Sequence, residues 1–316
     1  MFFATLRDEC ERLVYNSFAK SGGVIRVIIS RRAPIPVSIF SIHRGIFLIF
    51  VRTSLLIFVS VYVLVLIIAI FFSEQLIFQP QPPGYRDSAA ILKLTSSDGA
   101  KISAIYLPNP VATFTVLFSH GNAEDIGYTS PLLEQIQGAG FSVFAYDYQG
   151  YGTSEGKPAE AHTYDDEEAA YNYLTQTMRI PPNRIIAFGR SVGTGPAVNL
   201  ASRRPVAGLI LQSPFLSAFR VMTRVSVLPF DRFNNLRKIK TVHCPVLIIH
   251  GTRDTVINVA HGKQLFAAAN EPKQALWVEG ANHNDVELVA GDRYANSLRA
   301  FADFIQQHQP VGLQEH

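Results

Sequence analysis

Arg184-Ile185-Ile186-Ala187-Phe188-Gly189-Arg190-Ser191-Val192-Gly193-Thr194-Gly195 is the stretch that decides the fold. A short apolar run ends in Gly-x-Ser-x-Gly, and small residues compatible with a helix follow. This reads as a buried strand, a tight turn carrying Ser191, and a helix beginning beneath it. Gly189 and Gly193 lack a Cβ, so strand and helix can approach closely while the serine is pushed into a strained, exposed position. Such a turn aims the Ser191 hydroxyl at a substrate. It also sets the Val192 N–H, at the helix start, where an oxyanion would form.

Outward from this turn, strand-like and helix-like stretches alternate. Strands are expected at Ala89–Thr95, Lys101–Leu107, Phe114–Ser119, Ser142–Asp147, Arg184–Phe188, Gly208–Leu211, Val246–His250 and Ala275–Val278. The first two flank Ser96-Ser97-Asp98-Gly99-Ala100 and read as a hairpin. Helices are expected at Tyr128–Gln137, His162–Met178, Val192–Arg203, Val259–Ala269 and Arg293–Gln307. This alternation predicts an α/β domain over residues 89–308, with a mostly parallel sheet covered by helices on both faces.

In such a sheet, ligands gather beyond the carboxyl ends of the strands. Ser119-His120-Gly121-Asn122 closes one strand, and the Asn122 main-chain N–H is the second candidate oxyanion donor beside Val192. His120 itself reads as a structural turn residue. Asp254 lies four residues past the Val246–His250 strand, and His283 follows the next one. The order Ser191, Asp254, His283 is that of a nucleophile, an acid and a base brought together from three loops. His283 would take the serine proton, and Asp254 would orient the imidazole and stabilise its charged form. Two other carboxylates compete for the acid's place. Asp147, in a glycine-rich loop, reads as a tie for that loop, and Asp285 as a residue able to tune His283. Between Pro214 and His243 a short insert is rich in Phe, Leu and Val. It predicts a small lid whose apolar side chains either line an acyl pocket or pack on the sheet.

The amino-terminal part differs in kind. Thr53 to Phe72 is a run of 20 residues without a charge, about what a helix needs to cross the hydrocarbon core of a bilayer. It lies too far into the chain, and is too long, for a cleaved signal peptide. An uncleaved transmembrane helix over 53–72 is therefore expected, after a basic segment, 1–52, whose first 45 residues carry no motif that assigns a role. Lys20, Arg26, Arg31, Arg32, Arg44 and Arg52 precede the span and Glu74 follows it. That bias predicts a cytoplasmic amino terminus and a periplasmic or otherwise non-cytosolic main domain. Residues 73–88 read as a proline-rich linker, and 309–316 as a carboxy-terminal tail.

The overall charge of +3 is local in origin: residues 1–72 hold eight Lys and Arg against three Asp and Glu, and the remainder 20 against 22. No clustered basic face points to nucleic acid. Cys10 and Cys244 are the only cysteines, which excludes a disulfide framework and a cysteine-based metal site. No cofactor or metal is implied, and no protein partner.

Six motifs together resemble the α/β-hydrolase superfamily, most closely the α/β-hydrolase domain-containing protein 17 family and its Bem46-like bacterial relatives. They are SHGNAEDIG (119–127), YDYQGYGTSEG (146–156), GRSVGTG (189–195), LILQSP (209–214), PVLIIHGTRD (245–254) and LWVEGANHND (276–285), and the resemblance covers roughly residues 75–308. It implies the α/β-hydrolase fold and the same triad of Ser191, Asp254 and His283. It also implies hydrolysis of the thioester linking palmitate to protein cysteines, the activity best described in that family. Two departures stand out. Those depalmitoylases reach membranes through a cluster of lipid-modified cysteines and work in the cytosol, whereas this chain has one amino-terminal cysteine and an apolar span, and its charge bias puts the main domain on the other side. The expected activity is thus a serine hydrolase acting on esters or acyl thioesters, of lipidic character given the bilayer contact. A peptidase of the same fold and a non-catalytic binding protein are the alternatives. Haloalkane or epoxide chemistry would need an aspartate in place of Ser191.

Overall fold

The computed structural model describes residues 37–223 and 228–308. The first 36 residues, the tail from 309, and Val225 and Val227 of the predicted lid lie outside the described residues. Two units make up the chain, the first reaching Val63 and the second running from Leu64 to His316.

Helix α1 (Val37–Phe71) is 35 residues long. It starts well before the uncharged run, because Arg44 and Arg52 are good helix formers and do not interrupt it. Its stretch from His43 to Phe71 is long and apolar enough to cross a membrane, by length and composition. Leu55, Phe58 and Phe71 are among its exposed apolar side chains. The Thr53 hydroxyl donates to the carbonyl of Ile49 at 2.9 Å, so the polar group is satisfied within the helix. A short helix α2 (Ser73–Ile77) follows.

The strands of the second unit are β1 (Leu92–Thr95), β2 (Lys101–Leu107), β3 (Thr115–Ser119), β4 (Ser142–Tyr146), β5 (Ile185–Arg190), β6 (Gly208–Gln212), β7 (Val246–Gly251) and β8 (Lys273–Val278). They form one eight-stranded sheet in the order β1-β2-β4-β3-β5-β6-β7-β8. The β1–β2 and β2–β4 pairs are antiparallel and all others are parallel. The helices between and after them are α3 (Ser130–Gly138), α4 (Glu160–Asn172), α5 (Thr194–Ala201), α6 (Ala218–Thr223), α7 (Asn235–Lys238), α8 (Val259–Ala268), α9 (Val286–Ala290) and α10 (Asp292–His308).

Strand alternation divides the core into two layers. Ile185 and Ala187 face one cluster, which takes in Ala170, Ala197 and Leu265 from α4, α5 and α8. Ile186 and Phe188 face the other, which takes in Leu133 of α3 and Leu298, Phe301 and Ile305 of α10. Being covered on both faces, the central strands are apolar at consecutive positions, as parallel strands are. The region expected to form a small lid carries two short helices, α6 and α7. Phe215 and Leu216 are buried in the first core layer, so these two pack on the sheet.

One topological feature positions everything that follows. From β3 the chain moves outward to β4, then crosses back so that β5 pairs with the other edge of β3. Ser119, the last residue of β3, lies opposite Gly189. The loops leaving β3 and β5 therefore meet at the switch point of the sheet, where a crevice opens beyond the strand ends.

The segment read as a linker is bound to the domain along its length. Phe78 is buried, edge-on to Tyr151 and Phe233, and the Gly84 N–H donates to Asp125 Oδ2 at 2.6 Å. Its prolines make it extended, and the buried Phe78 fixes it in place.

Candidate active site

At the end of β5 the backbone turns sharply. Ser191 takes a φ of 53°, a left-handed value that a residue with a Cβ adopts at a cost of about 1–3 kcal/mol. Two glycines make the turn possible. A Cβ on Gly189 would collide with the main chain at Gly193, and one on Gly193 would collide with the carbonyls of Ser119 and His120. Ser191–Gly193 forms a single turn of 3₁₀ helix that runs into α5. At such a helix start the first N–H groups, Val192 included, have no carbonyl behind them to bond.

The loop after β3 passes directly over the serine. A Cβ on Gly121 would lie 3.5 Å from that of Ser191. Glu124 shapes this loop: its Oε2 accepts the Gly121 N–H at 2.9 Å, while Oε1 pairs with the Arg190 guanidinium. Arg190 also faces Glu287 at 3.7 Å. Glu287 in turn accepts from Gln212, and Gln212 accepts from the Tyr294 hydroxyl.

The structure brings the three residues singled out in the sequence into one hydrogen-bonded line. His283 Nε2 is 3.0 Å from Ser191 Oγ, and His283 Nδ1 is 2.7 Å from Asp254 Oδ2. An ionised carboxylate only accepts, so Nδ1 carries the proton and Nε2 is left with a lone pair facing the serine hydroxyl. Asp254 is buried. Burial alone would raise its pKa, but hydrogen bonds from His250, His283 and the Ile257 N–H, with the attraction of His283, hold the carboxyl far below the usual range.

Its second oxygen, Oδ1, accepts from the N–H groups of Val256 and Ile257 at 2.9 and 2.7 Å. These bonds lock the acid's loop. Asn282 then joins that loop to the histidine's: its Oδ1 accepts from the N–H groups of Thr255 and His283 at 2.9 and 2.8 Å.

The competing carboxylates do other work. Asp285 accepts the Asn282 N–H at 2.6 Å and so pins the loop. Asp147 is buried, accepting from the Tyr85 hydroxyl at 2.6 Å and the Ile126 N–H at 2.8 Å. Burial pushes it up to about 7 against the pull of these two bonds. His120, fully buried with its ring centroid 4.2 Å from that of Tyr148 and tilted 39° to it, donates from Nδ1 to the Gly121 carbonyl. Its Nε2 lies 3.5 Å from Asp147.

Four side chains that hold the site together carry no functional signal in the sequence. In the sequence His250 only ends a strand, yet its Nε2 donates to the Ile257 carbonyl at 2.8 Å and lies 3.3 Å from Asp254 Oδ2. The Arg190–Glu124 pair joins residues far apart in the chain and carries no motif of its own. The Asn122 carboxamide binds residues more than forty positions away, and nothing in the adjacent sequence marks it. Among the described residues no cluster of three or more His, Cys, Asp or Glu side chains is placed to hold a metal ion.

The sheet order, the strained serine turn at the switch point and the loops beyond the strand ends define an α/β hydrolase. A family model described as serine aminopeptidase, S33, matches residues 111–233. The human α/β-hydrolase domain-containing protein 17B is 41% identical over 226 residues, which cover 70% of this chain and 77% of that protein. The chain belongs to the α/β-hydrolase domain-containing protein 17 family. A Caenorhabditis elegans relative, α/β-hydrolase domain-containing protein aho-3, is 44% identical over 202 residues, 62% of this chain and 59% of that protein's length. Among solved structures, an esterase of Pyrococcus furiosus superposes with a TM-score of 0.61 at 21% identity, covering 72% of this chain and 98% of the esterase, a likeness of fold.

Proposed function

We propose that this chain is a membrane-anchored serine hydrolase that cleaves carboxylic esters or acyl thioesters through an acyl-Ser191 intermediate. The observation that carries the reading is the continuous line from Ser191 Oγ through His283 to Asp254, with separations of 3.0 and 2.7 Å. In this reading His283 Nε2 removes the hydroxyl proton as Oγ attacks the acyl carbon. Asp254 stabilises the imidazolium, and the N–H groups of Asn122 and Val192 meet the oxyanion. The same Nε2–H then protonates the departing alcohol or thiol. Water, deprotonated in turn by His283, releases the acid and restores Ser191.

The helix from His43 to Phe71 would hold the enzyme at a bilayer, which favours a lipidic acyl substrate. In this reading the amino terminus is cytoplasmic and the catalytic domain, 89–308, lies on the opposite side, a reading supported by the excess of Lys and Arg before the span. Protease added to intact cells or spheroplasts tests that orientation: digestion of the domain without permeabilisation is expected, and a domain protected until the membrane is permeabilised would contradict it.

The substrate class is tested on purified full-length protein with matched acyl chains on oxygen, sulfur and nitrogen leaving groups. Turnover of the oxygen and sulfur series, abolished by Ser191→Ala, is expected. Faster cleavage of peptide amides would favour the second reading, a serine peptidase, which the description of the matching family model motivates.

A further inference from the structure

We infer that the Asn122 side chain and the Ile77–Gln79 segment it grips are positioning elements of the oxyanion hole, so that the segment following the long apolar helix sets the catalytic rate. This inference rests on the serine-hydrolase reading above. The Asn122 carboxamide spans the two partners. Its Nδ2 donates to the Ile77 carbonyl at 2.7 Å, and its Oδ1 accepts the Gln79 N–H at 2.9 Å. The Tyr151 hydroxyl donates to the same Oδ1 at 2.7 Å. This is strand-like pairing between one side chain and one stretch of main chain, and Oδ1 also accepts the Ala123 N–H at 3.0 Å.

The N–H assigned to the oxyanion belongs to the same residue. Oxyanion donors act through preorganisation, and a small displacement of the donor loses much of the effect. Glu124 restrains the loop from one side through Gly121, and the 77–79 segment restrains it from the other. Phe78, buried between Tyr151 and Phe233, prevents the segment from lifting away. Upstream, Arg232 donates to Ser73 Oγ at 3.3 Å and faces Glu74 at 3.7 Å, fixing α2 to the same domain. The segment makes no bond to Ser191, Asp254 or His283, so its influence runs through Asn122.

Three variants of the full-length protein in detergent micelles test this. Asn122→Ala removes the grip but keeps the main-chain N–H. Gln79→Pro deletes one bonded N–H, and the extended backbone at Phe78 (φ −95°, ψ 126°) suits a residue preceding proline. Tyr151→Phe removes the hydroxyl with little change of shape. Activity is normalised to sites titrated by a fluorophosphonate, which corrects for misfolded protein.

Asn122→Ala and Gln79→Pro are expected to lower kcat by about 10- to 100-fold with little change in KM. The Ki of an acyl trifluoromethyl ketone, whose serine adduct carries an oxyanion, should rise in step, and Tyr151→Phe should show a smaller loss of the same kind. The double variant should be no slower than the worse single one, since both act through one contact. Normal kcat and Ki in the titrated variants, or losses that multiply, would overturn the inference. Ser191→Ala run alongside separates the two readings: a dead Ser191→Ala with normal Asn122 and Gln79 variants sinks only this inference, whereas an active Ser191→Ala sinks the hydrolase reading itself.

Discussion

Arg190, the residue immediately before the proposed nucleophile, is ion-paired with Glu124, whose other carboxylate oxygen holds the Gly121 N–H. The serine turn and the loop that passes over it are thus fastened by one half-buried charge pair. The two loops meet because β3 and β5 are neighbours in the sheet, and the pair fixes their spacing once they have met.

Removing the arginine leaves two carboxylates, Glu124 and Glu287, without their cation in a half-buried site. Arg190→Met is therefore expected to destabilise the domain by about 3–5 kcal/mol, a fall in Tm on the order of 10 °C. Glu124→Gln keeps an acceptor for the Gly121 N–H and should lose about 1–3 kcal/mol. Thermal unfolding of the two variants side by side checks the ranking, and an Arg190→Met protein as stable as wild type would contradict it.

Asp254→Asn tests the tautomer argument. A carboxamide presents its NH₂ to His283 Nδ1, which would then carry the lone pair and move the ring proton to Nε2. That nitrogen could no longer accept from Ser191. A loss in kcat of about 10⁴-fold is expected, with KM little changed. A loss of tenfold or less would mean that the acid is supplied elsewhere.

The pH dependence of stability follows from the buried carboxyls. Burial raises Asp147 to about 7 and Asp166 to about 6, while the unfolded chain releases these protons near the ordinary carboxylate value of about 4. Between about 4 and 7 the folded state therefore binds more protons than the unfolded one, and stability falls as pH rises, levelling off above about 7. Asp254 acts in the opposite sense. Its depressed pKa gives a contribution already complete above the ordinary carboxylate range and lost only in stronger acid. Asp147→Asn should make the decline in Tm between pH 5 and pH 7 shallower. An unchanged slope would show that Asp147 is ionised throughout.

Much of this architecture was legible in the chain, and for identifiable reasons. Buried parallel strands write themselves as apolar runs, so Val246–Gly251 and Gly208–Gln212 end within one residue of where the sequence places them. Ser191, Asp254 and His283 each follow such a run, which is why loops far apart in the chain could be read as neighbours. Features held by single side chains across long separations were not legible. Nothing local marks Arg190 as the partner of Glu124, or Asn122 as the clamp on Ile77 and Gln79. Helix α9 spans only Val286–Ala290, too short for a periodic pattern, and the proline-rich composition of 78–85 hid its packing. The long helix exceeded its uncharged run at the amino-terminal end because two arginines are no obstacle to helix formation.

The central claim is that Ser191 is the residue that carries the acyl group. Its most direct test is to react the full-length protein with a fluorophosphonate and locate the adduct by mass spectrometry of its peptides, alongside ester and thioester turnover by Ser191→Ala. The account predicts a single adduct on Ser191 and loss of both labelling and turnover in the variant. An adduct on another residue, or a Ser191→Ala protein that still turns over either substrate, would contradict it.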